Sequence, residues 1–198
     1  MALAAGALNT LDKQVLQAMA SLWSEPLHPL FQAIAELGGL EATTILMVGL
    51  ALFLIRGGFG ADAWVVLVFV AAQVLEVLYK ANLHHLGPPR TVSHADGPSL
   101  TELVSSSGPL ANSFPSGHMV RSVIAYGLIA FVVQRLAPWP RVRSLAIPVA
   151  IAIVVLIAFD RLYLDVHWES DVLGGLLLGA IGLVAGTVWL DRPIKTDN

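Results

Sequence analysis

Residues 161–190 read RLYLDVHWESDVLGGLLLGAIGLVAGTVWL, a polar turn carrying Arg161, His167 and Asp171 followed by an uncharged run from Val172 to Leu190. A helix needs roughly 20 apolar residues to cross the hydrocarbon core of a bilayer, and this run supplies them. Its Gly175, Gly179, Gly182 and Gly186 fall at small-xxx-small spacing, which predicts close packing against another helix. Working back toward the N-terminus, four more segments have the same character, at about 144–162, 116–136, 62–80 and 40–56. Pro138-Trp139-Pro140 and the glycines Gly57, Gly58 and Gly60 separate neighbours where a helix cannot run on.

The composition agrees. Hydrophobic residues make up 56% of the 198-residue chain and charged residues 13%, with a mean hydropathy of +0.74. A soluble domain carries about a quarter charged residues, so the chain is poor in solvating groups. Residues 1–38 differ. Leu8, Leu11, Val15, Leu16, Met19, Leu22 and Trp23 recur at helical spacing with Asp12, Lys13 and Gln17 off the stripe. Leu27, Leu30, Phe31, Ile34 and Leu37 repeat the pattern after Pro26. These predict two short amphipathic helices at the interface or packed on the bundle, the second able to dip into the membrane. The expectation is an all-α, polytopic membrane helix bundle of five to six membrane helices, forming a single domain over 1–198. The start lacks a basic n-region and is not read as a signal peptide. A net charge of −3 and the lack of a basic tail argue against a nucleic-acid partner. The absence of cysteine excludes disulfides and thiolate chemistry.

With an odd number of spans, Arg56, Arg135, Arg141, Arg143, Arg192 and Lys195 collect on one side. The positive-inside rule makes that side cytoplasmic. The 81–115 loop and the 161–170 connection, with Lys80, Arg90, His118, Arg161 and His167, then face the extracytoplasmic side.

Two motifs at span mouths carry the chemistry. Pro115-Ser116-Gly117-His118 opens the 116–136 helix, where free backbone N–H groups favour phosphate. Gly117 leaves room for an anion to approach. In Arg161-x5-His167-x3-Asp171, His167 and Asp171 are at i and i+4, so the carboxylate can hold one imidazole nitrogen and leave the other free to attack. Each motif alone also has a structural reading, as a capped helix start and as interfacial anchors.

Together the motifs resemble the type 2 phosphatidic acid phosphatase superfamily, whose pattern is Lys-x6-Arg-Pro, Pro-Ser-Gly-His and Ser-Arg-x5-His-x3-Asp. The resemblance covers roughly residues 26–190. It implies hydrolysis without metal or other cofactor, through a phosphohistidine. By that resemblance His167 is the nucleophile, Asp171 its orienter and His118 the acid that protonates the leaving oxygen. Lys80, Arg161, Ser116 and the amide of Gly117 bind the phosphate.

Two positions depart from the pattern. Asp160 replaces the serine of the third motif. Gly87 stands where the first motif has arginine, and Arg90, after Pro88-Pro89, is the expected substitute, with Arg121, one turn below His118, as the second candidate. Arg121 is otherwise expected to pair with Glu169 or Asp165, and Glu76 with Lys80 as a structural i, i+4 pair. Trp168 and Tyr163 read as interfacial aromatics, and Ser105–Gly108 as flexible linker. His84, His85 and His94 lack convincing metal-ligand spacing. The expected activity is hydrolysis of a lipid phosphate or isoprenoid diphosphate, such as undecaprenyl diphosphate or phosphatidylglycerophosphate. A non-catalytic protein binding anionic lipid, or a lipid phosphotransferase, are the alternative readings.

Overall fold

Helices stop where proline and glycine interrupt the apolar runs. A computed structural model describes residues 8–88 and 112–192. Helix α1 spans Asn9–Leu22 and is followed by a 3-10 turn at Glu25–Leu27. Helix α2, His28–Gly38, and α3, Leu40–Arg56, meet at Gly39. Helix α4 starts as a 3-10 turn at Asp62–Val65 and continues over Val66–Asn82. Helices α5 (Gly117–Leu136), α6 (Pro140–Tyr163) and α7 (Glu169–Leu190) complete the order.

Four of these, α4 with its leading turn, α5, α6 and α7, are long and apolar enough to cross a membrane. Helix α3 has 17 residues and qualifies only together with the Glu25–Gly38 limb, from which it is bent by 40°. The second amphipathic stretch is therefore one limb of a bent pair, with the geometry of a broken span or a re-entrant loop. Five spans are reached by counting that pair once, and among the described residues none supplies a sixth.

Helix α5 is the centre of the bundle. Its most apolar window is 56% buried, against 11% for α6, so α6 turns most of its surface outward. Helix α5 packs mainly on α6 and α7. The glycine stripe of α7 makes that approach close. A Cβ on Gly175 would fall 2.5 Å from the Ser116 carbonyl oxygen, and one on Gly179 would fall 2.8 Å from Val123 Cβ. The packing role expected of these glycines is what the structure contains. On the opposite faces Leu177, Ile181, Val184, Ile147, Ile151 and Val155 are exposed, as a bilayer-facing belt requires.

The basic end of the bundle is tied together by Asp62. Arg135 Nη1 donates to Asp62 Oδ2 at 3.0 Å and to the Leu190 carbonyl, while Arg192 lies 3.3 Å from Asp62 Oδ1. The N-terminal helices cover the other end. Tyr163, expected as an interfacial aromatic, is instead buried; it stacks on Phe31 at 4.0 Å, and its hydroxyl accepts from Ser24 N at 2.8 Å. Asp12, expected on the polar face of α1, is buried too. It accepts from Ser170 N at 2.8 Å and Ser170 Oγ at 3.0 Å, capping the start of α7. Asp12 thus points at a helix N-terminus, while Lys13 and Gln17 of the same helix stay exposed.

Candidate active site

The same end gathers the start of α5, the end of α6, the turn into α7 and the last turns of α4. Apolar segments that long have to end at water, and their polar end residues meet there. Pro115 precedes α5 through a cis Phe114–Pro115 bond, and Ser116 N donates to the Asp171 carbonyl at 3.0 Å. That bond ties the second motif to the third. It also commits an amide expected to be free for an anion. Ser116 Oγ is fully buried with no hydrogen-bond partner among the described residues.

His118 stands between two guanidinium groups. Its Nε2 lies 3.4 Å from Arg161 Nη1 and its Nδ1 3.5 Å from Arg121 Nη2. A neutral imidazole has one acceptor nitrogen, so only one of these long contacts is a hydrogen bond at a time. The ring also rests against the break between α2 and α3, since a Cβ on Gly38 would come within 3.1 Å of His118 Cδ2. The Gly38 carbonyl accepts from Arg121 Nε at 3.3 Å. Sequence reading missed Gly38; the adjacent glycines at 38 and 39 were the available signal.

Arg161 is 2% exposed and is fixed by Asp160, whose Oδ2 accepts from its Nε at 2.8 Å and its Nη2 at 2.5 Å. The carboxylate takes one edge of the guanidinium and leaves Nη1 facing His118. The residue that departs from the family's serine therefore orients the arginine beside it.

His167 Nδ1 lies 3.4 Å from Asp171 Oδ2, as the i, i+4 spacing predicts. The same oxygen accepts from Trp168 N at 3.0 Å, so Asp171 also caps α7. Its other oxygen, Oδ1, is 3.3 Å from His85 Nε2, a neighbour not anticipated from the sequence. Trp168 Nε1 donates to the Leu86 carbonyl at 2.9 Å, so Trp168 binds the segment after α4 to the His167 turn and is more than an interfacial aromatic. Burial pushes the His167 pKa below the ordinary histidine range. The Asp171 hydrogen bond and charge oppose that shift, and the charges of Lys80 and Arg161 add to it. The ring is therefore held neutral near pH 7, as a nucleophile requires.

Lys80 Nζ lies 2.9 Å from Glu76 Oε1, the pair expected from the spacing. Arg121, however, pairs with Glu76 Oε2 at 3.1 Å and not with Glu169 or Asp165. Helix α5 turns that face toward α4, so the nearer acid is on the neighbouring span. At Gly87 a Cβ would make ordinary contacts, 3.5 Å from Ser113 Cβ and 3.6 Å from the Val166 carbonyl oxygen. The segments on either side of residues 89–111 are held together by Asn112, which accepts from His85 N at 3.0 Å and donates to the Lys80 carbonyl at 2.7 Å. Arg90, His94, Ser105–Gly108 and Lys195 lie outside the described residues.

The arrangement offers a neutral histidine on a carboxylate, a second histidine against an arginine, and further cations and a buried hydroxyl nearby. Such a set can attack, protonate and bind an anion.

Comparison with known proteins agrees with that chemistry. Residues 61–195 match the family model described as the PAP2 superfamily. The chain is 27% identical over 178 residues to phosphatidylglycerophosphatase B of Bacillus subtilis (strain 168), covering 88% of this chain and 81% of that relative. Over 79 residues it is 43% identical to the protein of Escherichia coli (strain K12) named putative undecaprenyl-diphosphatase YbjG, covering 39% of this chain and 35% of the relative. A crystal structure of a transmembrane PAP2 type phosphatidylglycerolphosphate phosphatase from Bacillus subtilis superposes with a TM-score of 0.79 at 24% identity, covering 100% of this chain and 92% of that one. The last likeness establishes the fold.

Proposed function

Because the chain belongs to the PAP2 superfamily of membrane lipid phosphatases, we propose that it hydrolyses a lipid phosphate or diphosphate through a phosphohistidine on His167. The substrate class is a phosphatidylglycerophosphate or an isoprenoid diphosphate, by analogy with the relatives' names. The observation that carries the proposal is the pairing of His167 on Asp171 with His118 on Arg161 at one end of the bundle.

In the first step His167 Nε2 attacks phosphorus while Asp171 accepts from Nδ1–H. The bond from phosphorus to the leaving oxygen breaks, and His118 gives that oxygen a proton. In the second step water attacks the phosphohistidine, His118 takes the proton from water, and inorganic phosphate leaves with His167 regenerated. Lys80, Arg161, Ser116 and Gly117 hold the phosphoryl oxygens where charge develops. Arg121, already beside His118, is the described candidate for the cation missing at Gly87; Arg90 is the other. The positive-inside distribution supports an active site on the extracytoplasmic face.

A panel of phosphatidylglycerophosphate, undecaprenyl diphosphate and phosphatidic acid, assayed with purified protein in EDTA, tests the proposal. Phosphate release from one of them supports it. Release only on adding a divalent metal, or no release from any, contradicts it.

A further inference from the structure

The carboxylate of Glu76 stands where an anion is expected. Lys80 Nζ lies 2.9 Å from its Oε1, and Arg121 Nη1 lies 3.1 Å from its Oε2. A Cβ built on Gly117 would fall 2.0 Å from that Oε1, so the glycine of Pro-Ser-Gly-His makes room for this carboxylate. The groups proposed to take phosphate thus converge on an anion that the chain itself supplies. Glu76 is 5% exposed, and a carboxylate that deep stays charged only when it is paired.

We propose that Glu76 is an internal competitor for the phosphate site. It holds Lys80 and Arg121, and a phosphoryl group must draw those cations away from it. The inference rests on the phosphatase reading and adds a specificity-determining residue to it. Lys80, Arg121 and Arg161 bring three positive charges, while Glu76, Asp160 and the Asp171 that holds His167 bring three negative ones, leaving none. A site balanced in this way attracts bare inorganic phosphate weakly, which favours product release. Retention of substrate then depends on the lipid part, which bare phosphate lacks. If Glu76 were only a prop for Lys80, removing its charge would loosen the lysine and weaken anion binding. The two roles predict opposite signs.

Direct titration of the purified full chain in lipid nanodiscs with orthovanadate and with inorganic phosphate reads that sign without needing turnover. Glu76→Gln keeps the shape and removes the charge, and should tighten both dissociation constants by about tenfold or more. Glu76→Asp withdraws the carboxylate by one methylene but keeps a buried charge facing Arg121, so it preserves folding if the glutamine variant does not. It should tighten binding by a smaller factor, roughly threefold. Dissociation constants unchanged or weakened in the folded variants would overturn this inference alone. Absence of anion binding by every form, wild type included, would overturn the phosphate reading and this inference with it.

Discussion

Asp12→Ala tests whether the N-terminal helix is part of the catalytic apparatus. Asp12 sits on α1, yet its two oxygens accept from Ser170 N and Ser170 Oγ at 2.8 and 3.0 Å in a buried setting. Ser170 is the second residue of α7, and its neighbour Asp171 holds His167. Hydrogen bonds to a charged group contribute about 1.5–3 kcal/mol each, and an abandoned buried donor adds a cost of its own. Taking the lower value for two bonds gives a loss of about 3 kcal/mol. For a chain of this size that corresponds to a fall of roughly 6–12 °C in Tm. Loosening the first turn of α7 should also misplace Asp171 and lower kcat by about tenfold. Asp12→Asn retains an acceptor and should lose less on both measures. Thermal unfolding in detergent and kcat on one substrate are the assays. A variant with wild-type Tm and wild-type kcat would show that α1 merely covers the bundle.

The remaining predictions concern the site itself. His118→Ala should lower kcat by several powers of ten with the Tm kept, as loss of a general acid does; a loss below tenfold in steady-state assays would remove it from the mechanism. Because burial depresses the His167 pKa, its neutral, attacking form persists below the ordinary histidine value of about 6.5. The acid limb of the kcat/KM profile should therefore fall below that value, and a limb above 7 on this axis would contradict the assignment (roughly, by the same reference scale). Gly87→Arg should raise kcat/KM by about tenfold, because a Cβ meets only ordinary contacts there and the guanidinium would add a charge-assisted contact to the phosphate; unchanged kinetics would mean that another cation fills the role. His84→Cys should react with an impermeant thiol reagent in intact cells, and Arg141→Cys only after lysis; the reverse pattern would invert the proposed orientation.

The spans and motifs were legible because they depend on local sequence. Apolar run length marked α4 to α7, and the i, i+4 spacing put His167 on Asp171. What one sequence hides is which face of a helix meets which neighbour. Arg121 was expected to reach for Glu169 or Asp165, but α5 turns it toward Glu76 on α4. His85 was a loop histidine until the return of the chain at Asn112 and Ser113 set it beside Asp171. Asp12 looked like a solvated face of an amphipathic helix, since an exposed carboxylate and one that caps a distant helix share the same pattern. Residues 40–56 read as a span of their own by their apolar run, but the helix they form has 17 residues and qualifies only together with the Glu25–Gly38 limb across the bend at Gly39, which no apolar run reveals.

The central claim is that phosphate passes through His167. Rapid quench of the purified protein with a lipid substrate labelled in its phosphate, followed by peptide mapping, addresses it most directly. An acid-labile, alkali-stable phosphoryl group is expected on the peptide containing His167, formed within one turnover and absent from His167→Ala, which should itself be inactive. Label on another residue, or full turnover by His167→Ala, would contradict it.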